Sequence, residues 1–418
     1  MNKQYTYKFR IYPNNEQITF LDEQIGYNRF VYNFFLERSI NLHKNYGIKT
    51  NYYSNAVILP LLKKGFPFLL NANSQSLQAS LKNLDTAFRN FFQHRAKFPN
   101  FKKKINTNSI DIPQHFTIDN NFLYIPKLKS GIKVKFHRKV YEAVKSISIS
   151  KTTSGKYYVN MLVEKFAFTP YIPKKALNVS TGIDLGLKDF AIITTGTDIN
   201  DKESFKISNN KYLIKSQKKL IKLSRQLDRK RHKRAKADKA KPSANYIKFK
   251  KRLSVLHERV ANQRKDFLHK LSSRTVNDSQ VIVLEDLNIK GMVKNRHLSK
   301  SISDVSWSKF VDMLKYKYEW YGRQILKVNR FYPSSKACST PGCGYIHKDL
   351  KLSERFWVCP ECGALHDRDV NASINLFIEG LKQIGQGLPE LTPAEYAPAG
   401  IQSTGYSRHT MKQEAHAS

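Results

Sequence analysis

All four cysteines of the chain, Cys338, Cys343, Cys359 and Cys362, fall within 25 residues of one another. Nothing else in the sequence confines the fold so tightly. A disulfide framework spreads its cysteines through a secreted chain. Clustered cysteines closed by a Cys-Pro-Glu-Cys-Gly run have instead the spacing of a four-thiolate zinc site. The second pair is Cys-x2-Cys, and Gly363 after it permits a tight knuckle. The first pair is Cys-x4-Cys, a spacing that structural fingers also use. Four thiolates leave no open coordination position, so the expected zinc is structural. His347 and His366 are the nearby substitute ligands.

Charge narrows the partners. The chain carries 72 Lys and Arg against 33 Asp and Glu, a formal net charge of +39. Such an excess repels itself unless a polyanion screens it, which points to nucleic acid or an acidic membrane surface. A membrane span is excluded: the longest apolar run, Ala56 to Leu62, contains Pro60 and stops at Lys63 and Lys64. The first residues have no signal-peptide pattern. The expected location is cytoplasmic, on the nucleoid through DNA binding.

Hydrophobic periodicity divides the chain. Tyr5, Tyr7, Phe9 and Ile11 alternate and predict a half-buried strand ending at Pro13. Asn14 with Gln17 forms a capping-box pattern ahead of Ile18, Leu21 and Ile25. A second helical stretch passes through Val31, Phe34 and Phe35, and a third through Leu77, Leu81, Leu84, Phe88 and Phe91. From Ile110 to about Phe168 the period changes to two, with Ile132, Val134 and Phe136 alternating with Lys133, Lys135 and His137. Ser154-Gly155 predicts a hairpin. These strands suggest a small β-barrel, completed by the first strand, whose outward lysines suit a phosphate backbone. Residues 211 to 252 hold eighteen Lys and Arg against two Asp. Leu213, Leu220, Leu223 and Leu227 give that segment an apolar seam, so a basic helical arm is expected, with a loop near Ala235 to Ser243. Beyond Gln386 the Pro-rich sequence reads as a flexible tail.

Three stretches place acids at the ends of apolar runs. Asp184 ends one predicted strand before the Gly186 turn. Glu285 and Asp286 end the run Val281-Ile-Val-Leu. Asp367 and Asp369 lead into an amphipathic helix through Val370, Ile374, Phe377 and Ile378. Acids at the carboxyl ends of core strands are costly unless a cation neutralises them. Converging carboxylates suit Mg²⁺ or Mn²⁺, and two such ions about 3.5–4 Å apart hydrolyse phosphodiesters, the chemistry of RNase H-like nucleases. Asp189 and Asp367 read as turn or cap formers. Both faces of the 281–284 strand are apolar, so alternation does not choose between Glu285 and Asp286.

The sequence resembles the TnpB family, the RNA-guided nucleases of insertion-sequence transposons related to type V CRISPR effectors. The resemblance runs from Tyr7-Lys-Phe-Arg-Ile-Tyr-Pro13 to Leu376. It includes Phe30-Val-Tyr-Asn33, Phe98-Pro-Asn-Phe-Lys102, Gly182-Ile-Asp-Leu-Gly186, Glu285-Asp-Leu-Asn288 and Ser334-Ser-Lys-Ala-Cys338. Its strongest element is Trp357-Val-Cys-Pro-Glu-Cys-Gly363 running into His366-Asp-Arg-Asp-Val-Asn-Ala372. It implies an α/β multidomain protein: a wedge β-barrel (1–12 and 107–170), a helical recognition domain (13–106), an RNase H-like RuvC nuclease domain (171–335 and 364–385), a zinc ribbon inserted at 336–363 and a tail at 386–418. By motif position it implies Asp184, Glu285 and Asp369 as the magnesium-binding catalytic acids, with Asp367 the nearest competitor for the third role. Where the family usually has Cys-x2-Cys in the first pair, this chain has Cys-x4-Cys. The implied activity is RNA-guided cleavage of double-stranded target DNA, a guide RNA supplying sequence specificity. A nuclease-inactive RNA-guided repressor and a DNA-strand transferase are the competing readings. Nonspecific DNA packaging would explain the charge but leave acids and cysteines idle.

Overall fold

A computed structural model describes residues 2–104, 108–166, 178–235, 243–351 and 353–385. The expected tail at 386–418 and most of the expected basic loop (236–242) lie outside the described residues, as does the segment 167–177.

The alternating N-terminal residues form strand β1 (Asn2–Tyr12). Pro13 cannot continue a ladder, and Asn14 caps the helix beyond it. Its side chain accepts from the Gln17 N–H at 2.8 Å, while the Gln17 side-chain oxygen Oε1 accepts from the Asn14 N–H at 3.0 Å. The helix that starts there, α1 (Asn15–Tyr46), continues for 32 residues to a left-handed Gly47. The two helical stretches around Ile18–Ile25 and Val31–Phe35 are therefore one rod. Next come α2 (Tyr52–Gly65), a 3-10 turn at Pro67–Asn71, and α3 (Ser74–Phe92). Val31, Phe35 and Leu36 of α1 pack with Leu59 of α2 and with Leu77, Leu81 and Leu84 of α3.

Strands β2 (Ser109–Ile112), β3 (Thr117–Asp119), β4 (Phe122–Tyr124), β5 (Ile132–Lys135), β6 (Val144–Lys151) and β7 (Tyr157–Phe166) join β1 in one antiparallel sheet. Its order is β2-β6-β7-β1-β5-β4-β3. The first strand is thus the centre of the sheet, paired with β7 from Asn2 to Ile11 and with β5 from Arg10 to Tyr12. Among the described residues no ladder joins β2 to β3. Ser154 and Gly155, at φ 84°, turn β6 into β7. Phe9, Ile11, Val134, Ile149 and Val159 face inward and pack on Leu21 and Ile25 of α1. One helix therefore serves two cores, its first half on the sheet and its second half among the helices.

The remaining chain builds a mixed α/β unit. It runs β8 (Ser180–Asp184), β9 (Asp189–Gly196), β10 (Lys202–Ser208), α4 (Tyr212–Ala235), α5 (Ala244–Asp278), β11 (Val281–Glu285), α6 (Ile289–Met292), α7 (Ser299–Val305), α8 (Trp307–Trp320) and β12 (Gln324–Val328). A small hairpin, β13 (Phe356–Val358) with β14 (Leu365–Asp367), leads into α9 (Arg368–Gly385). The sheet order is β10-β9-β8-β11-β12. Strands β8, β11 and β12 are parallel, and β9 and β10 are antiparallel to their neighbours. The central strands bury both faces, as their uninterrupted apolar runs require. Ile183, Ile282 and Leu284 pack toward α5, α7 and α8 through Leu268, Ile302 and Phe310. Val281 and Val283 pack with Leu376 of α9 on the other face. Helix α9 lies so close to β8 that a Cβ on Gly182 would stand 2.4 Å from the Phe377 amide nitrogen.

The basic segment is the helical arm that its leucines predict. Leu220 is buried and Leu213, Leu223 and Leu227 are half-buried where α4 pairs with α5. Buried Asp304 anchors the arm. It accepts from the Leu213 N–H at the start of α4 and, at 2.6 Å, from Arg264 of α5. Glu258 of α5 accepts from Lys156, in the β6–β7 turn, at 3.2 Å and so ties the arm to the antiparallel sheet. Among the described residues no helix is long and apolar enough to cross a membrane.

Candidate active site

Strand alternation places the first two acids. Ile183 faces α5 and α8, so Gly182 and Asp184 face α9. Ile282 and Leu284 also face α5 and α8, so Glu285 falls in phase with Val281 and Val283 on the α9 side. Strands β8 and β11 are parallel and in register up to Ile183 opposite Leu284, which sets Asp184 beside Glu285 at adjacent carboxyl ends. That is where open α/β sheets expose their ligand sites. Asp369 arrives in the first turn of α9. Burial, and then the neighbouring Glu285 and Asp369 carboxylates, push the Asp184 carboxyl up to about 7. Burial also raises Glu285. Three acids from well-separated segments of the chain thus share one electrostatic environment, in which Glu285 and Asp369 oppose the ionisation of Asp184.

The competing acids are engaged elsewhere. Asp286 points to solvent and pairs with Lys327 at 2.6 Å and Arg330 at 3.0 Å, and the Lys327 hydrogen bond holds its carboxyl below the usual range. Asp367 accepts from the Asp369 and Val370 N–H groups and caps α9. It also accepts from Lys206 at 2.6 Å. Its partial burial would raise its pKa, but the Lys206 hydrogen bond and the helix amides hold it low. Asp367 is therefore a capping residue, as the sequence pattern predicts.

Other contributors had no sequence signal beyond their place in the motifs. Arg355, from the hairpin, donates through Nη1 to both Asp369 oxygens at 2.9 and 3.1 Å. Asn371 and Asn375, buried on α9, each donate to the Ala337 carbonyl at 2.7 Å, and Asn371 accepts from the Ser339 N–H. They fasten the cysteine-bearing loop to the helix that carries Asp369.

The cysteines converge as expected. All four ligand sulfurs lie within 4.8 Å of one another. Cys338 and Cys362 are 3.6 Å apart, as are Cys343 and Cys359. Zn–S bonds of about 2.3 Å set tetrahedral edges of roughly 3.8 Å, so the donor set fits zinc. Gly342, Gly344 and Gly363 adopt φ of 78°, 69° and 69° and let both knuckles turn. His366 does not replace a thiolate. Its Nε2 lies 3.1 Å from the Cys338 sulfur and its ring packs on Trp357. Among the described residues the cysteines are the set of three or more such side chains drawn together this tightly. The carboxylates are looser, with Arg355 lying on Asp369. Their hard oxygen donors and mutual repulsion nevertheless fit a divalent cation such as Mg²⁺.

Three family models match the chain. One described as "Cas12f1-like, TNB domain" covers residues 307–376, one described as "Probable transposase" covers 158–296, and one described as "Helix-turn-helix domain" covers 1–48. In the last span the structure has one strand and one continuous helix. A Streptomyces pristinaespiralis protein named as an RNA-guided DNA endonuclease is 34% identical over 381 residues, 90% of this chain and 89% of its own. The Escherichia coli K12 protein InsQ, named likewise, is 31% identical over 399 residues, 91% of this chain and 93% of its own. A mimivirus TnpB-like protein is 29% identical over 258 residues, 58% of this chain and 46% of its own. Among solved structures, a Cas12f1–sgRNA–target DNA complex matches with TM-score 0.53 at 16% identity, over 87% of this chain and 83% of that one, a likeness of fold.

Proposed function

This chain belongs to the TnpB family of transposon-encoded RNA-guided DNA endonucleases, and from that premise we propose that it hydrolyses target DNA at Asp184, Glu285 and Asp369 under the direction of a guide RNA. The observation that carries the assignment is the acid set. Burial, together with the neighbouring Glu285 and Asp369 carboxylates, raises the Asp184 carboxyl to about 7, a cost that a divalent cation would relieve. Bound Mg²⁺ or Mn²⁺ would activate a water and stabilise the leaving oxygen of a phosphodiester.

The chain's own groups prepare that chemistry. Asp184 and Glu285 are held by two parallel strands, and Asp369 by a helix start that Asp367 caps. The positive end of α9 faces the acids and favours their charge. Arg355 and Lys206 bring cationic groups to the cleft edge, where a phosphate would approach. Zinc on Cys338, Cys343, Cys359 and Cys362 would stiffen the loop that Asn371 and Asn375 hold, and with it the position of Asp369. The antiparallel sheet acts as the wedge domain and residues 13–106 as the recognition domain, holding the guide–target heteroduplex by backbone charge and shape. The α4–α5 arm supplies the densest cationic surface for it.

The test is reconstitution. The protein is purified with its copurifying RNA, the RNA is sequenced, and plasmids carrying a matching target are incubated with Mg²⁺. Guide-dependent double-strand breaks are expected, lost in Asp184→Ala with RNA and target binding kept. Cutting by Asp184→Ala at the wild-type rate overturns the site, and guide-independent joining of transposon ends overturns the reaction.

A further inference from the structure

The helical region carries an apolar cavity that the proposed chemistry leaves unused. It opens between the C-terminal ends of α1 and α3 and has a volume of about 250 Å³. Ile40 and Ile48 form one wall, and Phe88, Phe91, Phe92 and Phe98 form the other. The aromatic wall is built in advance. Phe98 stands edge-on to Phe88 and Phe91 with ring centroids 5.7 and 5.2 Å away. The turn that returns the chain to Phe98 passes through a left-handed His94, and the Arg95 and Ala96 N–H groups both donate to the Asn90 carbonyl. Yet Phe92 remains 64% exposed and Phe98 44%. Among the described residues no carboxylate lines the cavity, whereas Lys44 and Lys49 do, both exposed, and exposed Arg95 and Lys97 lie in the adjoining turn.

We propose that this cavity binds one unstacked nucleobase of a single strand, with the flanking phosphates against Lys44 and Lys49. This rests on the nucleic-acid reading above and goes beyond it by adding a base-holding pocket to the helical region. Size supports it: the volume is below the ~300 Å³ at which pockets for drug-sized ligands begin, and suits a single flat ring system. Chemistry supports it too. Aromatic walls take any base by its π-face, while basic side chains around them track the backbone. An apolar peptide side chain would fill the same walls but would have no use for the lysines beside them. Guide RNA and displaced DNA share this chemistry, and the two arms of the experiment separate them.

The full-length protein is irradiated with a single-stranded RNA carrying 5-iodouridine and, separately, with a single-stranded DNA carrying 5-iododeoxyuridine. Adducts are mapped by mass spectrometry. Adducts are expected on Phe92 or Phe98, in the RNA arm if the pocket serves the guide and in the DNA arm if it serves a displaced strand. Their yield should fall about tenfold or more in Phe92→Ala, whose exposed position lets the variant fold, as its melting curve would check. Adducts in both arms that fall elsewhere, with none between residues 88 and 98, overturn the pocket and leave the nuclease reading standing. A wild-type protein that binds neither oligonucleotide overturns both.

Discussion

Replacing Asp184 with Asn should make the metal-free protein more stable, the reverse of what deletion of a polar group usually does. The carboxyl is raised from its usual 3.8 to about 7 by burial and by two neighbouring carboxylates. Every tenfold change in proton affinity between the folded and unfolded states is worth about 1.4 kcal/mol, so the ionised group costs the folded state at most ~4 kcal/mol above pH 7. Asp184 keeps partial contact with solvent, and screening there cuts the net effect to about 2 kcal/mol. The direction comes from linkage. The folded state holds its proton more tightly than the unfolded chain, so this contribution to stability is complete below about pH 4 and is lost as the pH rises to about 7. The advantage of Asp184→Asn should therefore be larger at pH 8 than at pH 5. In a melting assay it corresponds to about 4–8 °C for a domain of this size. The buffers must lack Mg²⁺ but contain no chelator strong enough to strip the cysteines of zinc. Added Mg²⁺ should raise the wild-type melting temperature and leave the variant unmoved. A variant no more stable than wild type at pH 8, or a gap that ignores pH, would refute the argument that burial and the neighbouring acids disfavour the ionised Asp184.

Four further outcomes rest on individual contacts. Glu285→Gln should abolish cleavage while Asp286→Asn retains it, because only Glu285 faces α9; equal losses in a plasmid-nicking assay would contradict this. Asp369→Asn should lose stabilisation by Mg²⁺, whereas Asp367→Ala should keep it and cost about 1 kcal/mol of helix capping in denaturant unfolding. Gly182→Ala drives a methyl into the α9 backbone and should destabilise by about 1–3 kcal/mol, measurable by urea titration. Cys359→Ser should release its zinc to a colorimetric chelator at a concentration the wild type withstands, and cleavage should fall with it as Asp369 loses its support.

Much of this architecture was legible in the residues. Local signals survived intact wherever local physics decides: the alternation of β1, the Asn14–Gln17 capping box, the Ser154-Gly155 turn, and the knuckle glycine Gly363. Asp367 was readable as a cap because its partners lie within three residues of it. The choice between Glu285 and Asp286 was not readable from alternation, because β11 is apolar on both faces; only the packing of α9 against Val281 and Val283 distinguishes the sides. Arg355, Asn371 and Asn375 act through partners brought near by folding, and no periodicity marks such pairs. The continuity of α1 was hidden for a related reason. Its apolar stripe changes partners halfway, so one helix reads as two.

That continuity makes α1 a lever. Thirty-two residues at 1.5 Å each make a rod of about 48 Å, and tilting such a rod by some 10° about one end sweeps the other through roughly 8 Å. One end is clamped by Phe9, Val134 and Val159 of the sheet, and the other carries Ile40, His43 and Lys44 at the mouth of the aromatic cavity. A small rotation at the sheet end would thus be magnified at the cavity. Cutting the rod in the middle, with a proline at Arg29, should uncouple the two ends while leaving each core its own anchors.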